Sequence, residues 1–111
     1  VTNTNTKRIA ELNDLARTAM GVCSRVMQTA GINALPPADQ SRIREKVELF
    51  NAFNEANDPH KERDFGSFEH NGVKVIWKID YYDKKCEFGS EHPDDPSRTI
   101  RVLTIMRQEE Y

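Results

Sequence analysis

Two histidines and three carboxylates lie around the middle of the chain in a pattern that suits metal binding or acid–base chemistry. His60, Glu62 and Asp64 sit close together, Asp80 follows in a predicted strand, and His92 lies in the loop beyond. Imidazole nitrogen and carboxylate oxygen ligate divalent metals, and the same groups transfer protons near neutral pH. A metal-assisted hydrolase or transferase would need His60, Asp64, Asp80 and His92 to converge. Their spacing matches no zinc or calcium signature, and Asp58-Pro59-His60 is also an ordinary turn sequence. The stronger expectation is that these polar side chains cap and solvate a loop, with no metal or cofactor.

Other catalytic patterns fare worse. Asp64-Phe65-Gly66 spells the magnesium-binding triplet of protein kinases, but no glycine-rich phosphate loop or His-Arg-Asp sequence accompanies it. Ser67, Ser90 and Ser97 lack a nucleophile-elbow context, since Phe88-Gly89-Ser90-Glu91 has no second glycine. Trp77, Tyr81, Tyr82 and Phe88 could stack nucleobases only on an exposed face ringed by cations. Trp77 and Tyr81 instead share strand parity with Val75 and Ile79, so they read as core, and Tyr82 as the aromatic left outside. A nucleic-acid module would draw on Arg42, Arg44 and Lys46 with Lys84-Lys85. The net charge of −2 argues against a general nucleic-acid binder.

The most one-signed stretch runs from Cys86 to Ser97. It holds Glu87, Glu91, Asp94 and Asp95 and no lysine or arginine. Such a run ordinarily keeps a domain soluble, yet it can also attract a basic partner. Lys78, Asp80 and Tyr82, on the outward parity of the preceding strand, would border it. These seven residues form the expected partner-binding surface, facing a basic protein.

The elements that must position them follow from local patterns. Asn71-Gly72 is a strong signal for a two-residue turn with positive φ at both positions. It sets His70 opposite Val73, Phe68 opposite Val75, Gly66 opposite Trp77 and Asp64 opposite Ile79. Phe68, Val75, Trp77, Ile79 and Tyr81 then form an apolar face, while Glu69 pairs with Lys74 on a face largely for water. Gly66 leaves room for the indole. A one-residue slip would expose Trp77 and bury Lys74 and Lys78, so the register is well specified.

Around the hairpin, a polar run Val1 to Asn5 is expected to fray. Thr6 caps a helix to about Met20, with Ile9, Leu12, Leu15, Ala16 and Ala19 at helical spacing. Gly21 ends it. Val22 to Thr29 reads as a strand, the alternative being a continued helix. Ala30 to Asn33 reads as a turn. Leu35-Pro36-Pro37 starts a second helix with Ile43, Val47 and Phe50 inward, Leu49 and Phe53 alongside, and Arg44 and Glu48 paired outside. A short strand is expected around Cys86 to Phe88, then a loop from Gly89 to Ser97. The apolar strand Thr99 to Met106 is expected to be central, buried on both faces. The 111 residues read as one α+β domain, order α-β-α-β-β-β-β, with two helices on one face of a mostly antiparallel sheet. Charged residues make up 31% of the chain, no run reaches membrane-span length, and no leader is evident, which suggests a cytoplasmic protein. Cys23 and Cys86 read as free thiols, buried or half-buried.

The string Trp77-Lys78-Ile79-Asp80-Tyr81-Tyr82-Asp83 carries a resemblance. With Glu87-Phe88-Gly89-Ser90-Glu91, Asp94-Asp95-Pro96 and Arg101 to Met106, the chain resembles the proteobacterial family called domain of unknown function 3768. Upstream, Arg8 to Asn13, Leu35-Pro36-Pro37, Asn57-Asp58-Pro59 and Asp64-Phe65-Gly66 extend the match. The resemblance implies a compact cytosolic protein, often encoded near mobile-element genes, and brings no catalytic residues. By analogy of class, small acidic proteins from such neighbourhoods include inhibitors of host defence systems, anti-CRISPR proteins among them. The leading expectation is therefore a non-enzymatic modulator that binds a protein.

Overall fold

The computed structural model describes residues 3–111. The hairpin forms in the predicted register. Strand β2 (Phe65–His70) pairs antiparallel with β3 (Val73–Tyr82), Gly66 opposite Trp77 and Phe68 opposite Val75. Asn71 and Gly72 take φ of 50° and 80°, as the two-residue turn requires. The Ile79 amide donates to the Asp64 carbonyl at 2.9 Å, extending the pairing by one position.

Ahead of the hairpin lie helix α1 (Asn3–Thr18), strand β1 (Arg25–Gln28), a one-turn helix α2 (Ala30–Asn33) and helix α3 (Pro37–Glu48); strand β4 (Ile100–Arg107) follows it. The sheet order is β1-β4-β3-β2. β4 is central as expected, antiparallel to β3 and parallel to β1. The fold is α+β with a mostly antiparallel sheet.

The helices cover one face of the sheet. Ala16, Ile32, Ile43 and Val47 pack with Val75, Trp77, Ile79, Leu103 and Ile105 in one core. Trp77 is wholly buried, edge-to-face with Phe50 at 5.5 Å and Phe53 at 6.1 Å. Gly66 makes this possible, because a Cβ there would lie 2.5 Å from the indole Nε1 and 2.8 Å from the Phe50 ring. Arg17 of α1 completes the arrangement. Only 4% exposed, its guanidinium lies 5.2 Å from the Trp77 ring centroid and 5.4 Å from that of Phe53. Its Nη1 donates to the carbonyls of Val47, Glu48 and Phe50, and its Nη2 pairs with Asp14 at 2.6 Å. A cation thus satisfies carbonyls that the end of α3 would leave orphaned. His70 ties the far end of β2 to the same helix. Its Nδ1 accepts from Lys46 at 3.0 Å, so its Nε2 carries the proton toward Asp39 at 2.9 Å.

Several expectations are corrected. α1 begins before Thr6, so Asn3 to Asn5 are helical rather than frayed; Val1 and Thr2 lie outside the described residues. Ala30 to Asn33 is a helical turn that buries Ile32. Leu49 is 70% exposed. Arg44 turns from Glu48 to Gln28, whose Oε1 accepts at 2.6 Å. Cys86 to Phe88 forms no strand. Cys86 sits at φ 56°, and the segment is tied back by one bridge between Tyr82 and Gly89. Both cysteines are free, but exposed. On the outer sheet face, Ile76 and Met106 lie opposite each other and are buried, so that face is less polar than alternation implied.

The Gly66 contact yields a direct test. Gly66→Ala should destabilise the protein by about 2 kcal/mol through overpacking, whereas Ser67→Ala, exposed on the same strand, should stay within about 0.5 kcal/mol. Urea denaturation of the two variants measures the contrast.

Candidate functional site

Register divides the partner-binding residues between the sheet and the loop that follows it. Lys78, Asp80 and Tyr82 alternate on the face of β3 opposite the helices, beside Thr104, Val102 and Ile100 of β4. Lys78 and Asp80 are half-buried and joined in an ion pair. They therefore largely neutralise each other. Met27 of β1, more than half exposed, lies on the same face.

The loop from Asp83 to Thr99 is irregular but tightly tied. The Asp83 carboxylate accepts the amides of Lys85 and Glu87 at 3.2 and 3.0 Å, and its own amide donates to the Phe88 carbonyl at 2.9 Å. The Ser90 amide donates to the Tyr81 carbonyl at 3.0 Å. Buried Thr99 donates to the His92 carbonyl at 2.6 Å and meets the Ser90 hydroxyl at 2.7 Å. These ties present Phe88 outward, 72% exposed, between Glu87 and Glu91, both exposed as well. Asp94 is half-buried. Asp95 is spent on the loop itself: its Oδ1 accepts the Ser97 amide and hydroxyl, which hold its pKa below the usual range, and its Oδ2 meets Arg98 at 3.6 Å. Of the four acids, Glu87 and Glu91 are the ones most freely presented. Lys84, Lys85 and Arg98 flank the run, so the patch is less one-signed than the sequence segment.

Beneath the loop lies a polar network that positions it. Asn13 of α1 is wholly buried. Its Nδ2 donates to the Tyr81 hydroxyl at 2.8 Å and the Glu62 carbonyl at 2.9 Å, and its Oδ1 accepts from Arg101 Nε at 2.7 Å. The Tyr81 hydroxyl donates to Glu62 Oε1 at 2.7 Å. Burial raises the Tyr81 pKa far above that of a free tyrosine, and the Glu62 acceptor and charge push the same way. Arg101 also donates to the Pro93 carbonyl and lies 5.1 Å from the Tyr81 ring centroid. One buried asparagine thus links the first helix, the 58–64 connection, the end of β3 and the acidic loop. Buried Asp58 steadies the connection by accepting the Arg63 amide at 3.0 Å.

The metal-ligand set does not assemble. Asp80 faces away from the helices, whereas Asp64 stands opposite Ile79 on the helix-side parity of the pair. Among the described residues no group of three or more histidines, cysteines, aspartates or glutamates is placed to hold a metal ion. The helix cations are engaged as well: Arg42 with Glu45, Arg44 with Gln28 and Lys46 with His70. Lys84 lines a separate cleft with Arg8 and Arg25.

Residues 28–110 match the model of a protein family described as a protein of unknown function, DUF3768. The chain belongs to this family. No curated protein and no solved structure matches it. Among the described residues, no helix is long and apolar enough to cross a membrane.

Sequence reasoning missed Asn13, Arg17 and Arg101 as structural polar residues, and Phe88 as the most exposed aromatic of the loop. Position contained the signal. Asn13 and Arg17 follow Leu12 and Ala16 on the inward stripe of α1, and Arg101 alternates with Leu103 and Ile105.

Two predictions follow from these environments. Asn13→Ala should cost about 2–3 kcal/mol in urea unfolding, because it removes partners from Arg101, Tyr81 and the Glu62 carbonyl at once. Asp64 is half-buried, and its pKa is raised above 3.8, chiefly by burial, with Glu62 and Asp58 adding to the rise. Its folded form holds a proton more tightly than the unfolded chain, so this residue's contribution to stability falls as pH rises from 3.8 through the raised value. Asp64→Asn should therefore be more stable than the parent at pH 7, with the difference shrinking as pH falls through the raised value and gone below 3.8; thermal melts from pH 7 down to about pH 3 measure it.

Proposed function

We propose that the protein is a non-enzymatic binding module that engages a protein partner through Phe88, with Glu87 and Glu91 beside it and Tyr82 at the adjoining end of β3. The observation that carries this reading is the presentation of Phe88: a large aromatic side chain, mostly exposed, on a loop held by backbone and buried side-chain bonds. A solvent-facing aromatic gains nothing for the fold, whereas a fixed aromatic flanked by charge is the composition of interface hot spots. Rigid presentation also lowers the ordering cost of association. The two exposed glutamates suit a cationic protein surface, of the kind that nucleic-acid-handling defence complexes expose, and inhibition of such a complex is the role this proposal assigns.

The test is site-directed photocrosslinking in a bacterial lysate, with a benzophenone amino acid at position 88 and, as control, at Arg42 on α3. A discrete partner should be captured from position 88 and not from position 42. With the partner identified, Phe88→Ala should weaken binding by ~30-fold or more. The double variant Glu87→Lys, Glu91→Lys should slow association, an effect that diminishes at high salt. Capture that is equal from both positions, or affinity unchanged by Phe88→Ala, would count against the proposal.

A further inference from the structure

Where α1, the turn before β1 and the start of β4 meet, they enclose a cleft of about 600 Å³. Four cations line it, Arg8, Arg25, Lys84 and Arg101, and no acidic residue does. None of the four forms an ion pair among the described residues. In a chain with a net charge of −2, this is a marked local excess of positive charge.

Arg101 is the buried cation of the lining. It is 5% exposed and hydrogen-bonded on one side to Asn13 and Pro93, neither of which carries charge at the bonded atom. Burial lowers its pKa, and the nearby charge of Arg8 pushes the same way, while Tyr81, Glu62 and Asp94 oppose the shift from beyond ion-pair range. Buried charge is costly unless paired. The other cations lie at the rim: Arg8, Arg25 and Lys84 are exposed, and the Arg25 guanidinium donates to Cys86 Sγ at 3.4 Å. Leu15 and Val22, both exposed, add an apolar wall.

We propose that this cleft is an anion site for a phosphate monoester: Arg101 holds the phosphoryl group from within, Arg8, Arg25 and Lys84 close on it from the rim, and an apolar body rests against Leu15 and Val22. A dianionic phosphate matches several converging cations better than a single carboxylate does, and guanidinium forks suit its oxygens. The site is independent of the Phe88 surface, and a small molecule bound there would contact Lys84 and Thr99, at the two ends of the acidic loop.

Phenyl phosphate titrated into the ¹⁵N-labelled full chain tests this, with inorganic phosphate as the bodiless probe and sodium chloride at matched ionic strength as the control. Phenyl phosphate, up to ~10 mM, should shift the amides of residues 22–25, 84 and 99–101. It should bind several-fold more tightly than inorganic phosphate, by about the factor that burial of an aromatic ring supplies. Arg25→Gln and Lys84→Gln should each weaken binding by ~10-fold, the loss of one charged hydrogen bond, and leave the melting temperature unchanged. Arg42→Gln, outside the cleft, should leave binding unchanged. Shifts that sodium chloride reproduces, shifts spread over all basic residues, no shift at the cleft, or affinity unaltered by Arg25→Gln and Lys84→Gln would overturn the proposal.

Discussion

The fit of Trp77 against Gly66 is the constraint on which the rest of the structure depends. It fixes the register of the hairpin, because the glycine must lie under the indole and a bulkier neighbour would displace it. It also sets the spacing between the layers. The indole also meets Phe50, Phe53 and the guanidinium of Arg17, and Arg17 in turn closes the end of α3. A single buried side chain therefore couples a strand pair, two helices and the segment between α3 and the hairpin. Large aromatics dominate core energetics, and a cation held against the ring face adds to the attraction. Arginine fills this position because one planar group can stack on the rings and donate to three carbonyls at once.

A second layer of organisation is polar. Asn13 divides its hydrogen bonds among Glu62, Tyr81 and Arg101, and Arg101 passes the connection to the Pro93 carbonyl. Buried networks of this kind are costly unless every member is satisfied, and they favour one arrangement when it is. The long loop after β3 is held by this network and by the Ser90–Thr99–His92 bonds rather than by secondary structure. Such anchoring is what a loop needs to present an aromatic side chain in a fixed place. It also joins two surface features with different chemistries, the Phe88 tip and the cationic cleft whose inner wall is Arg101.

The sequence was legible where the determinants are local and opaque where they are long-range. Asn71-Gly72 and strict alternation specify the hairpin through neighbouring residues, so its register, its apolar face and the role of Gly66 could all be read directly. The centrality of β4 followed from Ile100, Val102, Leu103, Ile105 and Met106, which leave little polar alternation. The one-turn helix at Ala30 and the loop at Cys86 were not legible, for different reasons. The Ala30 turn depends on burying Ile32 in a core built by distant segments, whereas the Cys86 segment folds back on Tyr82 and Asp83 through a positive φ at Cys86 that its residue type does not signal. The candidate surface divided in the same way. Strand parity placed Lys78, Asp80 and Tyr82 together, but no local rule shows that four cations from four segments line one cleft. Arg17, Asn13 and Arg101 are residue types that usually face water, and only their positions on inward-facing parities mark them as buried.

Trp77 is the chain's single tryptophan, so its fluorescence reports directly on the fit that organises the fold. The decisive measurement is urea unfolding followed at once by tryptophan emission and by far-ultraviolet circular dichroism. If the Trp77–Gly66–Arg17 contact holds the helices to the sheet, the two signals should give one coincident, cooperative transition, with blue-shifted emission in the native baseline. Tryptophan exposure at lower urea than the loss of helix, or solvent-like emission from the native protein, would contradict the account.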